Sequence, residues 1–405
     1  MLKSVNKDTK LVVNQKLQIN LDTDKSVKIS KGGRAVKFDF HTLSIIEKFC
    51  TPNTISNVME ELKFSIKGTQ DWIAITNTIF KLYNFKILLE ENKHSTALKS
   101  NPFGYNSASF HIGLLNDKIR TSSFLDAIKK SVKKGDIVVD IGTGTGILAI
   151  AAALSGAKHV YAIESSDMGK FAKQNFKVNK LDDKITLIQG WSTQISLPER
   201  ADMLVSEVIG NEPLGENILE IFSDAFKRHL KPNARIIPKK LKIYGRPVNL
   251  SKQIIGKHYF TKDNTKKWES WYKVDFSNLE FIEKPNEYSF YIEPYKAKNW
   301  NYLSKPILLS EINLKSVKNL VIKTSSRKQI EDAGDINGIL VFFVSELSSN
   351  VNISTDPVDS YYTNSWYCKV WLLPESVSVK KGDKIKIDYY YKVPKIGNKI
   401  DIKKI

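Results

Sequence analysis

Two glutamates, Glu207 and Glu216, lie nine positions apart in Ser206-Glu207-Val208-Ile209-Gly210-Asn211-Glu212-Pro213-Leu214-Gly215-Glu216. They follow an apolar run, Met203-Leu204-Val205, that reads as a strand. The glycines and proline between them allow the loop to fold back and bring its ends together. Two carboxylates at the carboxyl end of a parallel strand face the ligand crevice of an α/β sheet. There they can clamp a planar cation through bidentate hydrogen bonds, and guanidinium is the natural candidate. Read alone, the same residues also suit a loop acid and a helix-start acid favoured by the macrodipole. Glu212, between them, is expected to be solvated, and Asp202, ahead of the strand, to be a turn residue.

A second cluster precedes this loop. Val138-Val139-Asp140-Ile141-Gly142-Thr143-Gly144-Thr145-Gly146-Ile147-Leu148 runs from β-formers through three alternating glycines into an apolar helical pattern. Glycines there let the backbone approach a ligand, and the helix start offers free N–H groups. Glu164 closes the next strand-like run, His159 to Ile163, where an acid suits a ribose with both hydroxyls free. The G-x-G-x-G spacing after Asp140 resembles motif I of S-adenosylmethionine-dependent methyltransferases rather than the dinucleotide fingerprint. Asp140 is expected to organise the ligand loop by bonding its amides, not to carry protons.

With this motif in place, the glutamate segment resembles the double-E loop of protein arginine methyltransferases. The stretch Tyr105, His111, then Leu114-Leu115-Asn116-Asp117-Lys118-Ile119-Arg120-Thr121 resembles that family's Tyr…His…Met-Leu-x-Asp-x-x-Arg-Thr helix. The resemblance covers roughly residues 103–392. It implies that Arg120 pairs with the carboxylate of S-adenosylmethionine, that Tyr105 closes over the site, and that Glu164 takes the ribose. Glu207 and Glu216 would be the catalytic clamp. Tyr105, His111, Trp366 and Ser365 would line the acceptor side. Two positions depart from the pattern. Ser365 stands where the family's Thr-His-Trp loop carries His, within Thr363-Asn364-Ser365-Trp366-Tyr367, and no histidine follows His258. Thr193 stands where an acid commonly meets the adenine amine, and its hydroxyl can still accept a hydrogen bond. On the residues alone, His111 also suits a buried structural histidine, and Trp366 a core position.

These residues need a scaffold, and three segments separate by pattern along the 405 residues. Residues 1–100 read as short strands (Val27 to Ile29, Val36 to Phe38), three helices and a strand at Lys86 to Glu90, a winged-helix-like unit. Arg34 to Asp39, the Ile46-to-Cys50 helix end and the Thr54-to-Val58 helix start resemble PqqD-like peptide-recognition domains. Thr54 or Ser56 is the expected cap of the second helix. A generic winged-helix scaffold or a DNA-binding module fits the same pattern. Asn92 to Pro102 reads as a linker. Residues 103–238 alternate strands and helices, as a Rossmann-like parallel sheet requires. Residues 239–405 are rich in Tyr, Trp, Ile and Val, with runs such as Gly338 to Val344 and Lys384 to Tyr391, and read as an antiparallel β-barrel. The fold expected is an α/β Rossmann-like methyltransferase domain followed by a β-barrel domain and preceded by a small winged-helix-like domain. A Lys-rich insertion near 250–275, ending in Trp268-Glu269-Ser270-Trp271-Tyr272, matches the family's dimerisation arm and implies a homodimer.

The formal charge is +19, from 62 basic and 43 acidic residues spread along the chain. That balance suits solvated Lys-rich faces or an acidic partner. No aromatic-interleaved basic stripe favours nucleic acid, and no run of about 18 apolar residues predicts a membrane span. Two distant cysteines, Cys50 and Cys368, lack metal spacing and suit a reducing cytoplasm; no metal site is expected. The function expected is S-adenosylmethionine-dependent methylation of arginine in a peptide or protein, with a ribosomally made precursor whose leader binds residues 1–100 as one candidate substrate. The alternatives are a non-arginine acceptor (another residue, a small molecule or nucleic acid) and a non-catalytic relative. Ser206-Glu207-Val208-Ile209 stands where amino-methylating DNA enzymes carry an Asn/Asp-Pro-Pro-Tyr loop, which disfavours nucleic acid.

Overall fold

The computed structural model describes residues 8–14, 17–21, 26–31, 34–38, 42–63, 69–91, 107–258, 260–281, 288–317, 319–362, 364–392 and 396–405. The chain divides into two compact units, Met1–Phe110 and His111–Ile405.

In the first unit, Gln18–Leu21, Val27–Lys31 and Arg34–Phe38 form an antiparallel sheet. Two further strands absent from the sequence reading, Lys10–Val13 and Asn53–Thr54, pair with each other, and Lys10–Val13 also pairs with Leu88–Glu90. Helices span Thr42–Glu47, Ile55–Glu61 and Thr69–Asn84. Thr54 is the N-cap of the second helix, its hydroxyl accepting from the Asn57 amide at 3.2 Å. The third helix repeats apolar residues at helical spacing, and Ile79 and Leu82 are fully buried with Leu11, Val27, Ile29, Phe49 and Val58.

The second unit contains the chemistry. Five parallel strands run in the order Leu230–Ile237, Ala201–Ser206, Ile137–Ile141, His159–Glu164, Ile185–Gln189. All five residues of the central strand are buried, because helices cover both faces of such a sheet. Asp202 corrects the expectation of a turn residue. It lies inside its strand, accepts the Ile137 amide at 3.0 Å and pairs with Lys231 at 2.7 Å, bracing two neighbouring strands.

The remainder is antiparallel and barrel-like. A seven-stranded sheet is built on Lys240–Asn249, Gly334–Ser348 and Cys368–Val379; a three-stranded sheet comprises Val321–Gln329, Lys384–Lys392 and Ile396–Lys404. The side chains of Thr324 and Ser326 bond the carbonyls of Leu309 and Leu308 across the junction between them, each at 2.5 Å. One hydrophobic core joins this body to the parallel sheet, with Val138, Leu204 and Ile237 buried together with Leu241, Phe343 and Tyr389. A helix-containing arm, Lys252–Phe281, leaves the barrel. Thr261 caps its longer helix, Lys262–Tyr272, and Trp268 packs between Phe260 and Phe276.

Candidate active site

The glycine loop follows the central parallel strand. Gly142, Gly144 and Gly146 all have positive φ (+78°, +55° and +89°), which side chains rarely tolerate. Space is also closed to a Cβ. At Gly142 it would come within 2.9 Å of Val208, at Gly144 within 3.1 Å of the His111 ring, and at Gly146 it would overlap the Phe176 ring. His111 is buried, so it walls the loop. Asp140 is fully buried; its Oδ2 accepts the Thr143 hydroxyl at 2.6 Å, and its Oδ1 has no partner. Burial, reinforced by repulsion from Glu164 and Glu207, pushes its carboxyl up to about 7 even though the Thr143 bond opposes this. The Gly144 amide is held by Glu164 rather than by Asp140: Glu164 Oε2 accepts from Gly144 at 2.8 Å and Oε1 from the Ser166 amide at 2.7 Å. Each carboxylate oxygen keeps a lone pair for a further donor.

The helix Lys118–Ser131 begins at Asp117, whose side chain accepts the Arg120 amide at 3.0 Å. Arg120 is buried and its Nη2 pairs with Glu207 Oε2, with both side chains about one-tenth exposed. Its guanidinium lies 5.1 Å from the Trp366 ring, a cation–π contact in a nearly dry setting. Trp366 donates its indole N–H to the Ile209 carbonyl at 2.6 Å. Thus the helix, the glutamate loop and the barrel meet at one guanidinium. The Arg120 Nε is buried and unpartnered.

The glutamate loop does fold back. Glu216 Oε1 lies 3.3 Å from where a Gly210 Cβ would stand, three residues after Glu207, and the Gly215 amide closes onto the Glu212 carbonyl at 2.7 Å. The barrel anchors the loop repeatedly: Trp366 at Ile209, the Tyr367 amide on Asn211 at 2.8 Å, and the Tyr391 hydroxyl on the Leu214 carbonyl at 2.5 Å. Glu212 is not solvated as expected. It pairs with Lys369 at 2.8 Å, with side chains 15% and 13% exposed, and Lys369 in turn lies 4.0 Å from the Trp371 ring. Burial pushes the Glu212 carboxyl up, outweighing the opposing pull of Lys369.

Thr193 is exposed on the loop after Ile185–Gln189. Arg228 holds this loop through the carbonyls of Ile195 and Ser192 at 2.5 and 2.7 Å, and the His229 ring lies 2.9 Å from the Ser192 carbonyl. Neither residue carries a sequence signal beyond a basic helix C-terminus. Asp117 carries no assigned role in the sequence motif; its position three residues before Arg120, at a helix start, is the signal that could have found it. Ser365 binds Asp117 through its amide and hydroxyl, at 2.7 and 3.0 Å. Tyr105 and Thr363 lie outside the described residues.

Comparison with known proteins points to one family. A family model described as ribosomal protein L11 methyltransferase matches residues 119–278, and one described as the arginine methyltransferase oligomerization subdomain matches residues 250–401. Protein arginine N-methyltransferase 1 of Schizosaccharomyces pombe is 31% identical over 296 residues, covering 70% of this chain and 81% of that protein. The chain belongs to the protein arginine N-methyltransferase family. Protein arginine N-methyltransferase 2 of Dictyostelium discoideum, a longer member, is 32% identical over 53% of this chain and 41% of its own length. Among solved arginine methyltransferases, the Trypanosoma brucei PRMT1 enzyme-prozyme heterotetrameric complex with AdoHcy matches with a TM-score of 0.63 at 22% identity, over 74% of this chain and 94% of that one. Arabidopsis thaliana protein arginine methyltransferase 10 matches at 0.59 and 21% identity, over 74% of this chain and 98% of that one. These two likenesses share the fold of the Rossmann-like and barrel-like parts.

As an arginine methyltransferase the chain is an enzyme whose cofactor is S-adenosylmethionine, and its residues fit that group. The glycine cradle has no room for Cβ atoms, Asp140 Oδ1 and Arg120 Nε are buried without partners, and Glu164 retains acceptor capacity for ribose hydroxyls.

Proposed function

We propose that Glu207 and Glu216 grip the guanidinium of a peptide or protein arginine, while Arg120, Asp140, Gly142, Gly144, Gly146, Glu164 and Thr193 hold the cofactor. The observation that carries this reading is a glutamate loop folded back on itself, with one of its carboxylates already engaging a buried guanidinium, that of Arg120. When bound, S-adenosylmethionine supplies an electrophilic methyl on its sulfonium. The protein's part is alignment and exclusion of water. Paired carboxylates draw positive charge to the far guanidinium nitrogens and leave the attacking nitrogen more electron-rich. The proton is lost after transfer, through a glutamate to solvent.

Residues 1–100 serve in this proposal as a recognition domain, with 103–238 binding cofactor and 239–405 presenting substrate. The first segment would take a leader peptide as an added edge strand, delivering a ribosomally made precursor to the clamp. Gln18–Leu21, an edge strand of its sheet with Ile19 41% and Leu21 59% exposed, supports that role. His111, Trp366 and Ser365 border the acceptor in this reading. The arm supports a homodimer: Phe260, Trp271, Tyr272 and Val274 are 45–60% exposed in the region matched by the oligomerization subdomain. No helix of the described residues is long and apolar enough to cross a membrane, and a reduced cytoplasm suits the two free cysteines.

The test is transfer of labelled methyl into Arg-containing peptides and host lysate, followed by acid hydrolysis and amino-acid analysis. Label in methylarginine is expected, and Glu207→Gln abolishes it while leaving cofactor binding largely intact. Near-normal turnover by that variant overturns the clamp. A second reading, a non-arginine acceptor, draws on Ser365 in place of the family histidine; label in another residue or in nucleic acid would favour it.

A further inference from the structure

Asp117 is fully buried, yet it has no ion pair among the described residues. Its carboxylate is filled instead by hydrogen-bond donors. Oδ1 accepts the Arg120 amide at 3.0 Å and the Tyr361 hydroxyl at 2.8 Å; Oδ2 accepts the Ser365 amide at 2.7 Å and the Ser365 hydroxyl at 3.0 Å. Two of these four donors are side-chain hydroxyls from a barrel loop some 240 residues away in sequence. A buried carboxylate costs free energy unless its lone pairs are met, so these bonds are worth more than surface ones.

The contact joins the two halves of the reaction site. On one side, Asp117 starts the helix that carries Arg120. On the other, Ser365 precedes Trp366, whose ring lies beneath the Arg120 guanidinium and whose indole holds the glutamate loop at Ile209. Where Asp117 fixes the barrel loop, it therefore fixes the spacing between the cofactor-side arginine and the acceptor-side carboxylates. Burial and the neighbouring Asp117 carboxylate both push the Tyr361 hydroxyl well above its ordinary range, so it stays a donor at working pH.

We propose that Tyr361 and Ser365 are positioning residues that act through Asp117, forming a hydroxyl latch in place of the family histidine and aligning Arg120 with the glutamate clamp. This rests on the assignment of Arg120 to the cofactor's carboxylate, and deepens it.

The experiment uses the full chain with Tyr361→Phe, Ser365→Ala, their double variant and Ser365→Thr. Two properties are measured: methyl transfer to an Arg-containing peptide, and affinity for S-adenosylhomocysteine by calorimetry. The homocysteine product retains the carboxylate but needs no acceptor, so it reads the latch independently of arginine methylation. Each single hydroxyl loss is expected to weaken S-adenosylhomocysteine binding about tenfold. The double variant falls short of the product of the single effects, because both hydroxyls serve one carboxylate. Ser365→Thr retains the donor and restores affinity. Affinities within twofold of the parent in the single and double variants, with the protein folded, overturn the latch. So does loss of thermal stability in parallel with affinity and no rescue by Ser365→Thr, which marks a merely structural role. A parent chain that makes no methylarginine yet shows the affinity pattern rejects the arginine reading and keeps the latch.

Discussion

Asp140 shows how a single buried side chain links the site to stability. Its carboxyl ionises near 3.9 in an unfolded chain and near 7 in the folded one, because burial disfavours the charge. Between these values the folded state holds a proton that the unfolded state has released. The unliganded protein is therefore expected to lose stability as pH rises from about 4 to 7, and this contribution is flat above that. Thermal midpoints across this window should fall in the parent, and Asp140→Asn should flatten that part of the slope. An unchanged slope in the variant would place the titration on another group. At the same scale, Arg120 and Glu207 form a pair whose rupture leaves an uncompensated buried charge, a cost of about 3–5 kcal/mol.

Among the elements, the glutamate loop is held less by its own turn chemistry than by neighbours. Trp366, Tyr367 and Tyr391 bond its backbone or side chains from the barrel, and Lys369 fixes Glu212. The arm is the opposite case: Trp268 packs edge-on against Phe260 and Phe276 within it, while Trp271 and Tyr272 stay exposed. Trp271 is 57% exposed there, with Lys267 4.5 Å from its ring. Buried tryptophans at interfaces each contribute about 2 kcal/mol or more. Trp271→Glu is therefore expected to weaken a homodimer at least thirtyfold, seen as a shift toward monomer in sedimentation velocity at micromolar protein. A parent chain that sediments as a monomer would remove the arm from this role.

At the scale of the whole molecule, the division at Phe110 and His111 separates a small mixed unit from the catalytic body. The second unit has its own continuous core from Phe124 to Ile402 and contains every described residue assigned to cofactor or clamp. Deletion of residues 1–100 is accordingly expected to leave S-adenosylhomocysteine affinity within about twofold. Methylation of a leader-bearing precursor should fall at least tenfold, with a short Arg peptide spared. Equal methylation of both substrates before and after deletion would argue against leader recognition. The net charge of +19 acts at this scale too, and its pull on any acidic partner reaches only a Debye length of about 8 Å in physiological salt.

Much of the site was legible in the order of residues because its parts are local. Alternating glycines dictate a backbone with positive φ, β-formers ending in Asp140 and Glu164 dictate strands whose carboxyl ends carry acids, and Thr54 announces a helix start. Each of these follows from the torsional or hydrogen-bonding preference of a few neighbouring residues. Glu212 and Asp202 depart from their sequence expectation for the converse reason. Whether a carboxylate is solvated or paired depends on which cation another segment supplies, here Lys369 and Lys231. The meaning of Ser365 was likewise beyond the sequence. A serine in the place of a histidine reads as a loss until the fold brings its amide and hydroxyl, with Tyr361, onto Asp117. Local chemistry fixed which residues could hold cofactor and guanidinium; long-range packing of barrel on parallel sheet decided how they are held, because burial and pairing are properties of the folded neighbourhood.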